Sequence, residues 1–258
     1  MTGLENIIAF YNNTPEDNMF HSVLRNILTN LDKVENYNIY DLANMCFTSP
    51  ATISRLVKKL GYKNYTYFQK DLSDCVKKYE HLNRYIKMEE IEEKEDLQEA
   101  FLNTLENLIV NFRKQIDKAQ LRRLAEEIHR SKRVSIYTYG VNFAEFYLQS
   151  DLFMSGIICD VYNDDKSQFE NAQTLDKQCI VILVIPKCIE SSAVDKTITA
   201  IKERGAKLCV ITDTKHFSIL KKADLSFTFE GELHLIDMYI LQMFLSLLSI
   251  QYRSMYLD

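Results

Sequence analysis

A run of basic, hydroxylated and apolar side chains between residues 49 and 63 has the spacing of one amphipathic helix. Steps of about 100° per residue bring Ile53, Leu56, Val57 and Leu60 onto one side, which can be buried. The opposite side is small, hydroxylated and basic, so it can approach the DNA major groove and hydrogen-bond to bases and phosphates. The residues predicted to contact DNA are Ser49, Ala51, Thr52, Ser54, Arg55, Lys58, Lys59 and Lys63.

The residues of this outer face are expected to have different roles. Arg55 is the predicted base contact, because a guanidinium suits the hydrogen-bonding edge of a base. Lys58, Lys59 and Lys63 are predicted to contact phosphates, which position a protein on the duplex without specifying a sequence. The alternative interpretation is a helical module that docks another protein through the same polar face.

The flanking residues predict the elements that position this helix. Residues 39–46 have the apolar spacing of a short helix, and a short turn separates them from the helix at 49–60. Ser49 can cap the second helix, Pro50 suits its first turn and Gly61 can end it. The pattern predicts a helix-turn-helix, the motif that places its second helix in the major groove.

Charge is distributed unevenly, although the 258 residues carry a formal net charge of only -5. Residues 1–87 contain 11 basic and 9 acidic side chains, whereas residues 88–258 contain 20 and 27. Nine basic residues and only three acidic ones lie within 52–87. This basic block indicates an anionic partner, with a solvated helical face as the alternative.

Glycine is scarce: the chain has six glycines, where an average usage of about 7% would give roughly 18. They lie far apart and form neither G-x-G-x-x-G nor G-x-x-x-x-G-K-[ST], which argues against dinucleotide-fold enzymes and P-loop NTPases. The six cysteines form no C-x-x-C pair and have no histidine at metal-ligand spacing. Buried free thiols in a reducing compartment are therefore predicted, with no metal site and no cofactor.

The most apolar segment, residues 238–252, contains 15 residues without a charge. That is fewer than the about 20 residues that span a bilayer, so a buried or subunit-packing helix is predicted. The first 14 residues include Glu5 and lack a basic flank before an apolar stretch, unlike a signal peptide. A cytoplasmic protein without a membrane partner is expected.

The second half of the chain alternates short apolar runs with helical patterns, as βαβ units of a parallel sheet do. The predicted strands lie at residues 134–138, 157–162, 180–185, 208–212 and 225–229. We therefore predict an α/β chain of two domains: an all-α helix-turn-helix domain at 1–87, and a three-layer α/β/α domain with a parallel sheet at 105–258. The acidic segment at 88–104 is interpreted as a linker or the start of a helix.

Two stretches carry a resemblance to a known family: IYDLA at 39–43 and TSPATISRLVKKLGYKNYTYF at 48–68. They resemble the N-terminal domain of RpiR-type bacterial transcriptional regulators. The resemblance implies a winged-helix-like DNA-binding domain followed by a SIS (sugar isomerase) domain, the same order as the two domains predicted above. It also implies a regulator of carbohydrate genes, not an enzyme, that binds a double-stranded DNA operator as a homodimer or homotetramer and senses a phosphosugar.

Ligands of parallel α/β sheets bind beyond the carboxyl ends of the strands, where helix N-termini favour anions. SIS domains hold phosphosugars with Ser and Thr side chains in such loops. Here Asn142 and Ile189 stand where the family commonly has glycine, so an altered ligand or a weak phosphosugar affinity is expected. The predicted ligand contacts are Thr138, Asn142, Ser167, Lys187, Ser191 and Ser192.

Two alternatives for the second domain stay open. In one, the SIS domain serves only to join subunits. In the other, the chain is a sugar-phosphate isomerase, which needs a positioned base near the substrate carbon. His129, His216 and His234 form no recognisable constellation, and Glu190 is an acid beside a hydroxyl in a predicted ligand loop. No catalytic residue is assigned.

Overall fold

The computed structural model describes residues 3–79, 96–138, 143–185, 192–213, 215, 218–229 and 237–257. The chain divides into two compact units, Met1–Asn83 and Arg84–Asp258. Of the predicted acidic linker, residues 88–95 lie outside the described residues. A helix that begins at Leu97 crosses the predicted limit at residue 104 without a break.

The first unit is helical throughout its described part. Its elements are α1 (Gly3–Asn12), α2 (Met19–Leu28), α3 (Leu31–Val34), α4 (Ile39–Met45), α5 (Pro50–Lys59) and α6 (Tyr65–Tyr79). Asn38 and Asp41 form a capping box at the start of α4, which satisfies backbone N–H groups that have no partner within the helix. Ser49 caps α5 with Pro50 in its first turn, which confirms the prediction for this helix.

One apolar cluster joins these helices. Its fully buried members include Ile7, Val23, Leu24, Ile27, Leu42, Ile53, Leu56, Val57, Phe68 and Leu72. Gln69 of α6 adds a polar connection, because its side-chain amide donates to the carbonyls of Val34, Glu35 and Tyr37 at 3.1, 2.9 and 2.8 Å. These carbonyls lie in and just after the last turn of α3, so the Gln69 amide joins α6 to the end of α3.

The second unit alternates strands and helices. Its elements are α7 (Leu97–Gln115), α8 (Lys118–Arg130), β1 (Arg133–Tyr137), α9 (Phe143–Met154), β2 (Ile158–Tyr162), α10 (Asp165–Ala172), β3 (Cys179–Val184), α11 (Ser192–Glu203), β4 (Lys207–Thr212), a 3-10 helix (Ser218–Lys222), β5 (Leu225–Thr228) and α12 (Asp237–Tyr256). The five strands pair in parallel in the order β2-β1-β3-β4-β5.

Helices cover both faces of this sheet. One face packs against α7, α8, α9 and α12 through a cluster that includes Ile136, Ile182 and Phe244. The other face packs against α10 and α11 through a cluster that includes Val181, Leu183 and Ile198. Because successive strand side chains point to opposite faces, the aliphatic run of β3 supplies both clusters. The predicted three-layer α/β/α fold with a parallel sheet is confirmed.

Helix α10 was not predicted from the sequence. Its side toward the protein carries Gln168, Asn171 and Ala172, all buried. Two of these three residues are polar, so the segment lacks the apolar periodicity by which amphipathic helices are recognised. On this side, hydrogen bonds that Gln168 and Asn171 form with the neighbouring strands add to the apolar contact of Ala172.

Helix α12 contains the apolar segment at 238–252 and is largely buried within its own unit. It packs against α9, where the buried carboxylate of Asp151 accepts a hydrogen bond from Ser249 and another from Arg253 Nη1 at 2.8 Å. Its apolar character is therefore used mainly inside one subunit, and only part of it remains for a partner. Within the described residues, no helix combines the length and the apolar character that a membrane span requires.

The described cysteines are free thiols. Cys46, Cys159, Cys179 and Cys209 are buried, as predicted, whereas Cys75 is half-buried. Burial raises the pKa of Cys46 to about 11 and the pKa of Cys159 to about 12. Because the thiolate is the reactive form, these buried thiols are poor nucleophiles at neutral pH. Cys188 lies outside the described residues.

Candidate nucleic-acid interface and ligand edge

Helix α5 has the two faces that its sequence predicts. Ile53, Leu56, Val57 and Leu60 are buried in the core of the first unit. On the outer face the exposed residues are Ala51, Arg55, Lys58 and Lys59, and Lys63 is exposed in the segment that follows. The stripe of aliphatic residues therefore orients α5 so that its basic side chains face solvent.

Thr52 departs from its predicted exposure on the flank of this face. It is 4% exposed, and its hydroxyl lies 3.0 Å from Ser49 Oγ. The cap itself explains the difference, since Ser49 Oγ also accepts from the Thr52 backbone N–H at 3.2 Å and draws this residue against the helix start. Ser49 is exposed and Ser54 is half-buried.

A short hydrogen-bond chain orients Arg55. Its Nη2 donates to Thr52 Oγ1 at 3.3 Å, and Thr52 in turn pairs with the capping Ser49. The three residues are spaced by three positions, so they follow one side of the helix. Arg55 is thereby held beside the first turn of α5 while its remaining donors stay exposed. Thr52 has a positioning role that sequence patterning did not reveal.

The basic groups around α5 have no carboxylate partner among the described residues. Lys59 Nζ lies 5.5 Å from the ring centroid of Phe20, and Lys63 Nζ lies 6.0 Å from that of Tyr67. Such cation–π contacts orient an ammonium group without neutralising it. The basic face of α5, defined as Arg55, Lys58, Lys59 and Lys63, is therefore a patch of uncompensated positive charge suited to an anionic partner.

The turn between α4 and α5 contains Phe47, for which the sequence pattern predicted no functional role. Phe47 has a left-handed backbone with φ 51° and is 92% exposed. Its N–H donates to the Asn44 carbonyl at 3.1 Å, and the Thr48 N–H donates to the Ala43 carbonyl at 2.9 Å. These two bonds form a Schellman motif, in which the left-handed position is usually glycine. The sequence did contain a signal for this conformation. A turn this short needs a residue in the left-handed conformation, and residues 46–49 contain neither Gly nor Asn, so another residue type has to adopt it.

In the second unit, strand order defines where a ligand would bind. Because β1 lies between β2 and β3, the chain crosses from one side of β1 to the other at the β1–β3 boundary. In open parallel sheets the crevice at the carboxyl end of this switch point is the usual ligand site. The flanking segments 139–142 and 186–191 lie outside the described residues. They include the predicted contacts Asn142, Lys187 and Ser191.

Thr138 lies at the carboxyl end of β1, next to this switch point. Its side chain is fully buried, and its hydroxyl has no hydrogen-bond partner among the described residues. Its backbone is held firmly, since the N–H donates to the Tyr162 carbonyl at 3.0 Å and the carbonyl accepts from Gln168 Nε2 at 3.0 Å. A buried hydroxyl without a partner is costly, so Thr138 is the described residue best suited to meet a polar ligand.

Ser167 and Ser192 are in different situations. The Ser167 hydroxyl donates to Asp164 Oδ2 at 2.5 Å, and its N–H donates to Asp164 Oδ1 at 2.9 Å. An aspartate carboxylate therefore already occupies the N-terminus of α10, beside the predicted ligand contact Ser167. Strand β2, which leads to Ser167, is also on the side of β1 away from β3. Ser192 is exposed and begins α11 directly after the 186–191 segment.

The N-terminus of α9 also has internal partners. The Ala144 N–H donates to Gln242 Oε1 at 3.4 Å, and the carboxyl-bearing side chain of Glu145 is buried in the first turn. A negatively charged ligand would meet this acidic group. The first turn of α11 also carries an acid, Asp195, which pairs with Lys222 Nζ at 3.6 Å. Among those residues, no group of His, Cys, Asp and Glu could hold a metal ion.

A polar network fixes the β1–β2 side of this edge. Tyr137 donates to Asn171 Oδ1 at 2.7 Å, and Asn171 Nδ2 donates to the Tyr162 hydroxyl at 3.0 Å. Arg133 reaches the same hydroxyl and forms an ion pair with Asp160 at 2.8 Å. Burial raises the pKa of Tyr137 far above its ordinary value, so the phenol remains a hydrogen-bond donor. The network is internal and leaves the opposite, β1–β3 side for a ligand.

Helix α9 has an exposed apolar stripe. Phe146, Tyr147, Phe153 and Met154 are between 54% and 78% exposed, whereas the two acids of the helix, Glu145 and Asp151, are buried. This is the reverse of an ordinary surface helix, whose charges face solvent. Contiguous exposed aromatic and methionine side chains are typical of protein interfaces.

Comparison with known proteins places the second unit among sugar isomerase folds. No protein-family model matches the chain. No curated protein is significantly similar to it. The Vibrio vulnificus NanR protein complexed with ManNAc-6P matches with a TM-score of 0.54 and 19% identity, over 98% of this chain and 92% of that chain.

Two further solved structures match over the second unit. The sugar isomerase domain of an RpiR transcription factor from Sphaerobacter thermophilus has a TM-score of 0.53 and 16% identity, with 63% of this chain and 92% of that chain covered. A putative phosphosugar isomerase from Bacteroides fragilis has a TM-score of 0.50 and 12% identity, with 62% and 91% covered. The structural neighbours thus include both regulators and isomerase-like proteins, and at these identities the likeness shows the fold.

Proposed function

We propose that this chain is a cytoplasmic, DNA-binding transcriptional regulator of the RpiR type that controls carbohydrate genes. The observation that carries the proposal is the basic face of α5, whose four cationic side chains have no carboxylate partner among the described residues. It lies on a capped helix that a short turn joins to α4, the arrangement of a helix-turn-helix. The sugar isomerase fold of the second unit supports the same assignment.

In this mechanism the residues in and around α5 make different contacts with DNA. Arg55, held by Thr52, hydrogen-bonds to a base edge in the major groove. Lys58, Lys59 and Lys63 contact phosphates and contribute affinity that falls with added salt. Ser49 and Ala51 are exposed at the N-terminal end of α5, the end that is proposed to contact the duplex.

Two copies of the chain are proposed to read two half-sites of a pseudo-palindromic operator, as a homodimer or within a homotetramer. The sequence suggested the C-terminal helix as a subunit contact, but α12 is largely buried in its own unit. The exposed stripe of α9 is the better surface, because it is apolar and uncharged. Two copies of one stripe can pair without like-charge repulsion.

The second unit is proposed to bind a phosphosugar effector at the β1–β3 switch point. The buried, unpartnered hydroxyl of Thr138 supports a polar ligand there. The phosphate is proposed to lie beside Ser192, which begins α11 directly after the segment that contains Lys187 and Ser191. In an oligomer, effector binding would change how often the two DNA-binding units stand at the distance that the operator half-sites require. The affinity for the operator would change with it.

Selection from random duplex DNA tests the DNA-binding function. The full-length protein should enrich one sequence motif, whereas a variant with both Arg55→Ala and Lys58→Ala should enrich none, because it lacks the base contact and a phosphate contact. Thermal unfolding should show that the variant is as stable as the wild type, since both side chains are exposed. Failure of the folded wild type to enrich any motif would overturn the proposed function.

A thermal-shift series tests the effector. Millimolar concentrations of a panel of hexose and amino-sugar phosphates should raise the unfolding temperature for at least one compound, by the mass action of ligand on the folded state. Thr138→Val should reduce that shift, because it replaces the hydroxyl by a methyl group of similar volume. A flat response to the whole panel would overturn the sensor role and favour a unit that only joins subunits.

We also propose that the chain is not an isomerase. His129, the one histidine of the second unit that the structure describes, is in α8 before the amino end of β1. Its Nδ1 lies 3.1 Å from the Tyr252 hydroxyl and its ring stacks on Tyr256. Glu190, His216 and His234 lie outside the described residues. An aldose–ketose isomerase assay on the same sugar panel checks this point. Turnover that is lost in Glu190→Gln would replace the regulator by an enzyme.

A further inference from the structure

The turn before α5 exposes an aromatic side chain at a backbone position that disfavours it. We propose that Phe47 is a specificity-determining DNA contact whose ring packs against the 5-methyl group of a thymine in the major groove. This contact rests on the DNA-binding function proposed above and adds an apolar reading element to the polar contacts of α5.

Phe47 occupies a position at which this chain otherwise uses glycine. Helices α5, α9 and α11 end in the same pair of backbone hydrogen bonds, with Gly61, Gly156 and Gly205 at the left-handed position. Among the described residues, Phe47 is the one non-glycine with positive φ. A side chain with Cβ is strained in this conformation, so glycine would form the turn at lower energy.

The side chain does not repay this strain within the fold. Phe47 is the most exposed of the large apolar side chains that the structure describes. It belongs to neither the buried cluster of the first unit nor the partly buried residues around it. Its ring makes no aromatic or cation contact with another described residue. Strained residues that persist without a structural benefit are concentrated at binding sites, where the benefit comes from a partner.

The surroundings of Phe47 indicate which partner. Two residues after it, Ser49 caps α5, whose N-terminal residues are those that approach base edges in a helix-turn-helix. The same helix carries the uncompensated charges of Arg55, Lys58 and Lys59. A protein partner that only covered an apolar ring would not need this positive charge, whereas duplex DNA needs it at every approach. Charge complementarity therefore favours DNA as the occupant.

Major-groove chemistry then indicates what an aromatic ring would read. The edges of the four base pairs differ in donors and acceptors, and the thymine 5-methyl group is their apolar feature. A phenylalanine ring offers no hydrogen bond, so this methyl group is the feature that it can distinguish. The left-handed backbone holds the side chain in the turn outside α5, where it can extend the set of bases read beyond the reach of Arg55.

Replacement by glycine separates this role from a role in folding. Phe47→Gly should keep or raise the unfolding temperature, because it relieves the strained backbone. With a duplex that the full-length wild type has selected from random DNA, the variant should bind about tenfold more weakly. Binding to a random duplex should not change. Phe47→Asn should behave alike, since asparagine also tolerates the left-handed conformation. Ile8→Ala, which shortens an exposed apolar side chain on α1, should bind as the wild type does.

Uracil substitution identifies the contacted base. Replacing thymines of the selected duplex one at a time by uracil removes only the methyl group, and one position should weaken the wild type but leave Phe47→Gly unaffected. If Phe47→Gly binds the selected duplex as tightly as the wild type, the contact is wrong while the proposed function stands. An equal loss on selected and random DNA also overturns it, because that pattern indicates a phosphate contact. If the wild type selects no duplex, both the contact and the proposed function fail.

Discussion

Phe47 and Gly61 occupy the same left-handed position at the ends of two consecutive helices, with φ 51° and 89°. Each donates its N–H to a carbonyl three residues back, Asn44 for Phe47 and Lys58 for Gly61, at 3.1 Å in both cases. The next residue closes each motif with a bond to a carbonyl five residues back. The turn after α5 thus has glycine, which adopts the left-handed conformation without strain. The turn after α4 has phenylalanine, which is strained in it.

Gly61→Ala should reduce the free energy of unfolding by about 1 kcal/mol, because the new Cβ is strained in the left-handed conformation. Apart from Gly61 itself and its two chain neighbours, no atom lies within 4 Å of the position that the Cβ would take, so steric crowding adds nothing. Urea unfolding measures the effect, with exposed Lys70→Ala as the control for a harmless substitution. Unchanged stability would show that α5 ends differently in solution.

Arg55→Ala should weaken binding to the selected operator by about 1–3 kcal/mol and relax the preference at one base position. Random DNA should bind nearly as before, because the remaining lysines still contact phosphates. Titration of both duplexes measures the difference, and Lys33→Ala on α3 controls for the loss of one positive charge. An equal loss of affinity for both duplexes would reassign Arg55 to the phosphates.

Thr52→Val tests how Arg55 is positioned. The substitution preserves the shape of the side chain but removes the hydroxyl that accepts from Arg55 Nη2. We expect a smaller loss of operator affinity than for Arg55→Ala and no further loss when the two changes are combined, since both act through one contact. Additive losses in the double variant would mean that Thr52 acts independently of Arg55.

Lys59→Ala should weaken binding to all duplexes alike and reduce the slope of log affinity against log salt concentration by about one. The ammonium group lies against the Phe20 ring but is not neutralised, so it remains available to a phosphate. Affinities at several salt concentrations give the slope. Lys59→Arg should retain it, and a slope that Lys59→Ala leaves unaltered would exclude Lys59 from the interface.

Phe153→Glu should dissociate the assembly formed through the exposed stripe of α9, because a charge placed in an apolar contact loses its hydration. Light scattering coupled to size-exclusion chromatography measures the mass. Ile250→Glu is the matched control, since Ile250 is similarly exposed but lies on α12. If the control dissociates the assembly and Phe153→Glu does not, the subunits meet through α12.

Cys46 and Cys159 should resist alkylation at pH 8 until the protein is unfolded, because their raised pKa values leave little thiolate. A thiol whose pKa is raised by folding stabilises the folded state fully at any pH below its pKa in the unfolded chain, about 8.5. This contribution is lost as the pH rises through the pKa of the folded state. The free energy of unfolding should therefore fall as pH rises from about 8.5 through 11. Peptide mass spectrometry after iodoacetamide treatment measures the labelling, and half-buried Cys75 reports a more accessible thiol. Labelling of native Cys46 would contradict its burial.

Much of the first unit could be predicted because its signals are local. The spacing of Ile53, Leu56 and Val57 states which side of α5 is buried, and Ser49, Pro50 and Gly61 mark its ends within a few residues. The exposure of Arg55 and Lys58 follows from the same periodicity. The predicted exposure of Thr52 was wrong, because the capping contact with Ser49 draws its hydroxyl inward. The angular position of a residue on a helix does not reveal such a contact.

In the second unit the sequence alone determined the strands and their layers, since an aliphatic run such as β3 can be stable only between two covering layers. It did not determine the strand order, which depends on contacts between residues far apart in the chain. That order makes the β1–β3 boundary the candidate ligand edge and places Ser167 on the other side of β1. The buried position of Asp151 in α9 depends on distant residues too, because its partners Ser249 and Arg253 lie on α12. The type of a residue indicates whether its side chain favours burial or exposure. Hydrogen bonds and packing with residues distant in the chain decide where the structure departs from that preference.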